Sequence, residues 1–224
     1  MKRAVIYIAS LLVLTGCQQP SEKITSYQEN YEIIGKEKDE IINNTSETIY
    51  GSIDRSNSEA KEVIIEPIYK DGEDVILPQG RYQIGGRITG NVYIHDEHGQ
   101  LLFHDVLGTP PLGVERITVD VNGSHIVHVD GLEQAYILPV PTQLSSELSA
   151  GIWEVGKDIE EGSYTVTGSG LGYLQIYEQG ESPRVFEVIG GDSHTASKIH
   201  LNDGQKLKIS GINSIQFSSN SKSN

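Results

Sequence analysis

Cysteine occurs once in these 224 residues, at position 17, so no disulfide can close within the chain. Methionine and tryptophan are also single, and phenylalanine occurs only three times against eleven tyrosines. Positive charge is scarce: 17 basic residues face 31 acidic ones, a formal charge of −14. Such a surface repels phosphate, which disfavours nucleic acid and anionic polymers as partners. No Gly-x-Ser-x-Gly elbow and no glycine-rich phosphate loop occurs, so the motifs of nucleophilic hydrolysis and nucleotide binding are missing. No catalytic residue and no cofactor is expected. A tyrosine-rich, glycine-rich composition suits half-buried strands, where the ring packs and the hydroxyl stays wet.

The N-terminus carries its own signal. Lys2 and Arg3 precede an uncharged run from Ala4 to Leu14, which is 11 residues long. That is too short to span a bilayer, which takes about 20 residues, but it has the order of a secretory signal. Leu14-Thr15-Gly16-Cys17 follows at once and resembles the lipobox of bacterial lipoproteins. The resemblance implies cleavage after residue 16, acylation of Cys17, and a place on the outer face of the cell membrane. Two acyl chains make a stable anchor where one does not. Loss of Lys2 and Arg3 leaves 15 basic residues against 31 acidic, a formal charge of −16. The membrane is thus one expected partner and an envelope protein another; nucleic acid is not.

From Gln18 to about Lys61 the chain is polar and irregular, and 17–61 reads as a lipidated, flexible stalk. Ser26 and Glu29 have capping-box spacing, with Tyr27, Tyr31, Ile34 and Ile41 near one helical face. Gly35 weakens that helix, and a solvated spacer is the alternative.

The remainder reads as two copies of one pattern. Leu77-Pro78-Gln79-Gly80-Arg81-Tyr82 and Ile159-Glu160-Glu161-Gly162-Ser163-Tyr164 each place a turn, a glycine and a tyrosine before a strand, at an offset of 82. Val92-Tyr93-Ile94-His95 matches Leu174-Gln175-Ile176-Tyr177 at the same offset. Leu102-Phe103-His104-Asp105 matches Val185-Phe186-Glu187-Val188, and Gly131-Leu132 matches Gly211-Ile212. Within each copy apolar residues alternate with polar ones, as at Ile117, Val119 and Val121. The expected fold is all-β: two tandem related small antiparallel sandwich or barrel-like modules, 62–140 and 150–219, with a disordered tail at 220–224. Each copy is small enough to be marginal alone, so the two should pack together or cover each other's edges. Val155-Gly156-Lys157-Asp158-Ile159 running to Gly162-Ser163-Tyr164 resembles small β modules of Gram-positive surface lipoproteins. The resemblance covers about two thirds of the chain and implies location and architecture, but no activity.

Histidine is the one candidate chemistry. His95, His98, His104, His125 and His128 fall in the first copy beside Asp96, Glu97 and Asp105, a set that suits a transition metal. Their counterparts (Tyr177, Glu187, Gln205, Lys208) are residues of wet strand faces, which favours surface histidines. His95 and His98, across a hairpin tip, are the least poor metal pair. Trp153 reads as a core or inter-module plug, and Tyr93, Tyr173 and Tyr177 as part of an exposed sugar-stacking row, with edge-strand packing the alternative. The expected role is a membrane-anchored extracytoplasmic binding protein without enzymatic activity, the alternative being a small-ligand or metal binder.

Overall fold

The computed structural model describes residues 21–190 and 196–220. The signal region and Cys17 lie outside the described residues, as does most of the expected tail; Asn220 itself is tied by its N–H to Ser163 O at 2.8 Å. The fold is all-β, with fifteen strands and two short helices among the described residues, and no closed barrel.

The strands of the first half are β2 (Val63–Ile65), β3 (Glu73–Ile76), β4 (Gly80–Arg87), β5 (Gly90–His95), β6 (Leu101–Leu107), β7 (Arg116–Val121), β8 (Ile126–Asp130) and β9 (Gln134–Pro139). They form two facing layers, β2-β9-β4-β7 and β3-β8-β5-β6. Alternation sets which face is inside. Tyr82, Ile84, Val92, Ile94, Val119 and Val129 are fully buried, while Tyr93, His95 and His128 on the same strands are not.

The second half comprises β10 (Glu147–Glu154), β11 (Gly162–Gly168), β12 (Leu171–Tyr177), β13 (Arg184–Ile189), β14 (Ser197–Leu201) and β15 (Lys206–Ser219). Its pairings follow the same order. β10 and β15 are long enough to run through both layers, pairing through Glu147–Ser149 in one and Gly151–Glu154 in the other, with a register shift between. The rest of β15 pairs with β11 on one side and β12 on the other, and these lead to β14 and β13. A second apolar core, centred on Leu174, Phe186, Leu207 and Ile209, lies between these layers.

The repeated turn has the same chemistry twice. Tyr82 donates its hydroxyl to Pro78 O, and Tyr164 donates to Glu160 O, each at 2.9 Å. The ring is buried in the core while the hydroxyl satisfies a turn carbonyl four residues back.

Each half leaves one end of its layers open, and the two ends are covered differently. The β6–β7 end is covered by the second half: β7 meets β10 in a parallel pairing at Thr118 and Gly151, and Ile152 and Tyr177 join the first core. The β13–β14 end is covered by the N-terminal segment, which is not the flexible stalk read from the sequence. Here α1 (Glu22–Asn30), β1 (Glu32–Ile33), α2 (Lys36–Ile42) and a 3-10 turn at Glu47–Tyr50 are folded onto the body. β1 pairs with β13, Arg184 bridges to Glu32, and Asn30 exchanges hydrogen bonds with the backbone of Lys198. The helix is capped by Ser21, whose Oγ accepts from Ile24 N, not by Ser26. Tyr31, at φ 54°, ends it, and Gly35 at φ 74° starts the next helix. Further on, Asn57 pins residues 51–60 to the first half, accepting from Arg81 N at 2.8 Å and donating to Val140 O at 2.9 Å. Polar composition concealed this order because the stabilisation comes from docking to an edge formed by distant residues and from a few apolar side chains, Ile49 above all, that enter the first core.

Candidate functional site

The histidine region contains a ring cluster. Tyr93 on β5 stacks on His104 with centroids 4.3 Å apart and planes 12° off parallel; His95 lies 6.2 Å away and His128 5.9 Å. His128 Nδ1 sits 2.7 Å from Asp74 Oδ1. His98 is exposed in the turn and is not part of this cluster. The turn between them is organised by Asp96, which is fully buried. Its carboxylate accepts from the N–H groups of His98 and Gln100, both at 2.8 Å, and from Ser46 Oγ at 2.5 Å. Burial opposes its charge, but these hydrogen bonds outweigh burial and hold its pKa below the usual carboxylate value. The stretch that resembled a ligand loop uses its carboxylate to build a turn. Among the described residues no group of three or more His, Cys, Asp or Glu side chains is placed to hold a metal ion.

Two histidine expectations are corrected. His125 is 1% exposed, with neither ring nitrogen hydrogen-bonded, and burial lowers its pKa. The Asn122 side chain accepts from its backbone N–H and from Ser124 N, and strand β8 begins one residue later. The counterparts assigned to a wet face are buried as well: Tyr177, Gln205 and Lys208 are all under 10% exposed. In the second half that face lies under the first half and the N-terminal segment.

Lys208 shows the consequence. Its amine donates to Thr45 Oγ1 at 2.9 Å, and burial lowers its pKa to about 8 despite the nearby Asp105. The Tyr177 hydroxyl donates to Gln175 Oε1 at 2.7 Å and lies 3.1 Å from Thr45 Oγ1. Asp105, raised in pKa by burial, accepts from Gly211 N and Val106 N. A buried amine enclosed in this way holds the two halves and residue 45 together; it is not accessible as a nucleophile.

The junction carries a larger ionic network. Arg55 lies 2.6 Å from Asp120 and 3.1 Å from Asp158; Arg81 lies 3.1 Å from each of the same two carboxylates. The Arg81 Nη2–Asp158 contact has ion-pair distance without hydrogen-bond alignment. Lys206 pairs with Glu154 at 2.6 Å. Asp158 is fully buried, and burial raises its pKa against the pull of Arg81 and Arg55. It also shapes its own turn, accepting from Glu154 N at 2.8 Å. Thus the aspartate of the Val-Gly-Lys-Asp-Ile run ties its turn to the first half.

Beside this network the junction opens into a cleft. Two lobes of about 400 and 260 Å³ share Gln83, Thr118, Ser145, Glu147 and Trp153. Gln83 and Thr118 face each other across the β4–β7 pair, next to the Arg81–Asp120 pair. Trp153 is held in place: its Nε1 donates to Ser149 O at 2.8 Å, and the Arg81 guanidinium lies over its ring at 4.7 Å. The sequence reading of Trp153 as an inter-module plug missed the residues across from it. Their signal was the outward position of Arg81, Gln83, Thr118 and Asp120 in alternating strands, legible only once the register was known.

A separate groove of about 610 Å³ lies on the N-terminal segment. Ile24, Ile33, Ile34 and Ile41 line it with Tyr27 and Tyr173. Ile24 is 48% exposed. Tyr27 donates its hydroxyl to Glu187, and that hydrogen bond together with burial pushes its pKa up to about 12. Tyr173 thus lines this groove, whereas Tyr93 belongs to the histidine cluster and Tyr177 is buried, so the three do not make one exposed row.

Comparison of the sequence with protein-family models and with curated proteins gives no match in either case.

Proposed function

We propose that this chain is a lipid-anchored, extracytoplasmic binding protein without enzymatic activity, held to the membrane through Cys17 and engaging another envelope protein. The observation that carries the binding role is the apolar groove of α1, β1 and α2. Four isoleucines and two tyrosines form a concave surface that nothing covers among the described residues. Exposed apolar concavities of this kind mark interaction sites. Lys23, Glu32, Glu37 and Glu187 rim it, so an amphipathic partner segment with mixed charge fits best.

The reading places the groove near the anchor. Ser21 caps α1, four residues after Cys17, and four extended residues span at most about 14 Å. A body attached this closely presents α1 to partners that are themselves in or on the membrane.

The test uses the full chain in its own cells. Wild type should partition with membranes and Cys17→Ser should be released. Cross-linking in the solubilised envelope should capture a defined protein with wild type and lose it with Ile24→Asp or Ile34→Asp. A Cys17→Ser protein still bound to membranes removes the anchor; a partner captured equally by the groove variants removes the groove.

A further inference from the structure

We infer that the cleft between the two halves is a binding site for a neutral, hydroxyl-rich ligand of the saccharide class. The inference does not depend on the anchor or on the apolar groove.

The lining is unusual in what it leaves unsatisfied. Thr118 is 3% exposed, yet its hydroxyl makes no hydrogen bond within the described residues and lines both lobes. It is also not among the polar atoms sealed off from solvent, so the hydroxyl reaches the cleft. Gln83, directly opposite in register, has no side-chain partner either. Both groups therefore hold hydrogen-bonding capacity open to the cleft, which a polar ligand can meet and an apolar one cannot. Elsewhere at the junction the charged groups are paired: Arg55, Arg81 and Lys206 each lie at ion-pair distance from Asp120, Glu154 or Asp158. The cleft is where the pairing stops.

The chemistry of the open groups selects the ligand. Gln83 offers a donor and an acceptor, Thr118 the same on one atom, and Glu147 acceptors only. At one end Arg116 offers a planar set of donors, and at the other Gln143 a second amide. Each hydroxyl of a sugar both donates and accepts, and vicinal hydroxyls match side-chain amides and carboxylates in pairs. An anion is disfavoured by Glu147 and Glu115 in the lining and by the formal charge of −14. An apolar ligand would leave Thr118 and Gln83 unpaired.

Trp153 supplies the apolar component. Its hydrogen bond to Ser149 O, the guanidinium over its ring and its packing against the second core fix its orientation, so little side-chain freedom is lost when a ligand's C–H surface meets the part of the half-buried ring that lines the lobes. The larger lobe, about 400 Å³, is within the size range of small-molecule sites, about 300 to 1,000 Å³, and the smaller adjoins it; both lie at a boundary between packed units, where such sites concentrate.

Trp153 is the sole tryptophan, so its emission reports on the cleft directly. The purified full chain is titrated with N,N′-diacetylchitobiose, cellobiose and maltose, with inorganic phosphate as the anionic comparison. At least one disaccharide should give a saturable change in tryptophan emission. Gln83→Ala and Glu147→Ala, at positions that are half-buried and exposed, should each weaken that binding by about tenfold, the loss of one modest interaction, with unchanged circular dichroism. Thr118→Val, which keeps the shape and removes the hydroxyl, should do the same. The inference is overturned if no disaccharide saturates the signal in the millimolar range, if phosphate alone does so, or if binding is indifferent to all three substitutions.

Discussion

Arg81 Nη2 lies 3.1 Å from Asp158 Oδ1, and both residues are almost completely buried although they belong to different halves of the chain. Arg81 comes from the turn-and-strand element of the first half, Asp158 from the turn that precedes its counterpart in the second. Arg55 joins them from the N-terminal segment. Three parts of the chain that are remote in sequence are therefore held by one charge network. Removing one charge leaves the others buried without compensation. Asp158→Ala should cost about 3–5 kcal/mol in chemical denaturation. Replacing Arg81 and Asp158 together by Met and Leu should cost clearly less than the two single losses combined, because no orphan charge is left. Equality of the double mutant with the sum would show that the pair is not coupled.

The repeated tyrosines give an independent prediction. Tyr82→Phe and Tyr164→Phe each delete one hydrogen bond to a turn carbonyl and leave the ring in its core. Each should lower stability by about 0.5–1.5 kcal/mol. The rings sit in separate apolar clusters, so the two losses should add in thermal or urea unfolding.

Lys208 makes a prediction about pH. Its folded pKa is about 8 and the unfolded value about 10.5, so the native state binds fewer protons between those limits. Stability from this group should therefore rise as pH increases from about 8 to 10.5, by no more than about 3–4 kcal/mol. Below pH 8 the amine is charged in both states and its desolvation cost is fully present. Lys208→Met should be more stable than wild type at neutral pH and should flatten the slope between pH 8 and 10. An unchanged slope would place the titration elsewhere.

Close packing at the junction is testable at Gly151. Its φ is 141°, and a Cβ there would come within 2.0 Å of Thr118 O in the parallel β7–β10 contact. Backbone atoms cannot yield as a flexible side chain can. Gly151→Ala should cost at least about 2 kcal/mol by strain and overpacking. Gly99→Ala, at φ 75° in an open turn with no atom near the added methyl, should cost less, about 1 kcal/mol from backbone strain alone. The comparison separates steric contact from left-handed geometry.

Much of the β architecture was readable from local pattern. The inward Val92 and Ile94 and the outward Tyr93 and His95 follow from a side-chain period of two, which needs no knowledge of partners. The two Gly-x-Tyr turns were visible because a glycine at positive φ and a tyrosine two residues on are both specified by the local backbone. The candidate site was much less legible. His95 and His98 stood out by type and spacing, but the turn between them is organised by Asp96, whose partner Ser46 is 50 residues away. Gln83, Thr118 and Trp153 carried no motif at all, since their association depends on strand register and on the packing of one half against the other.

The amino-acid order by itself determined the strand class, the inward and outward faces and the recurrence of the turns, because these depend on neighbours within a few residues. Only the tertiary structure decided which faces were wet. Two faces of similar pattern met different fates, Tyr93 and His128 staying accessible while Tyr177 and Lys208 were buried, since burial depends on what packs above a strand. The order of the polar N-terminal segment was decided in the same way. Its stabilisation lies in strand pairing with β13, in the packing of Ile49 into the first core and in ion pairs to residues more than 100 positions away, and those contacts exist only after the body has formed.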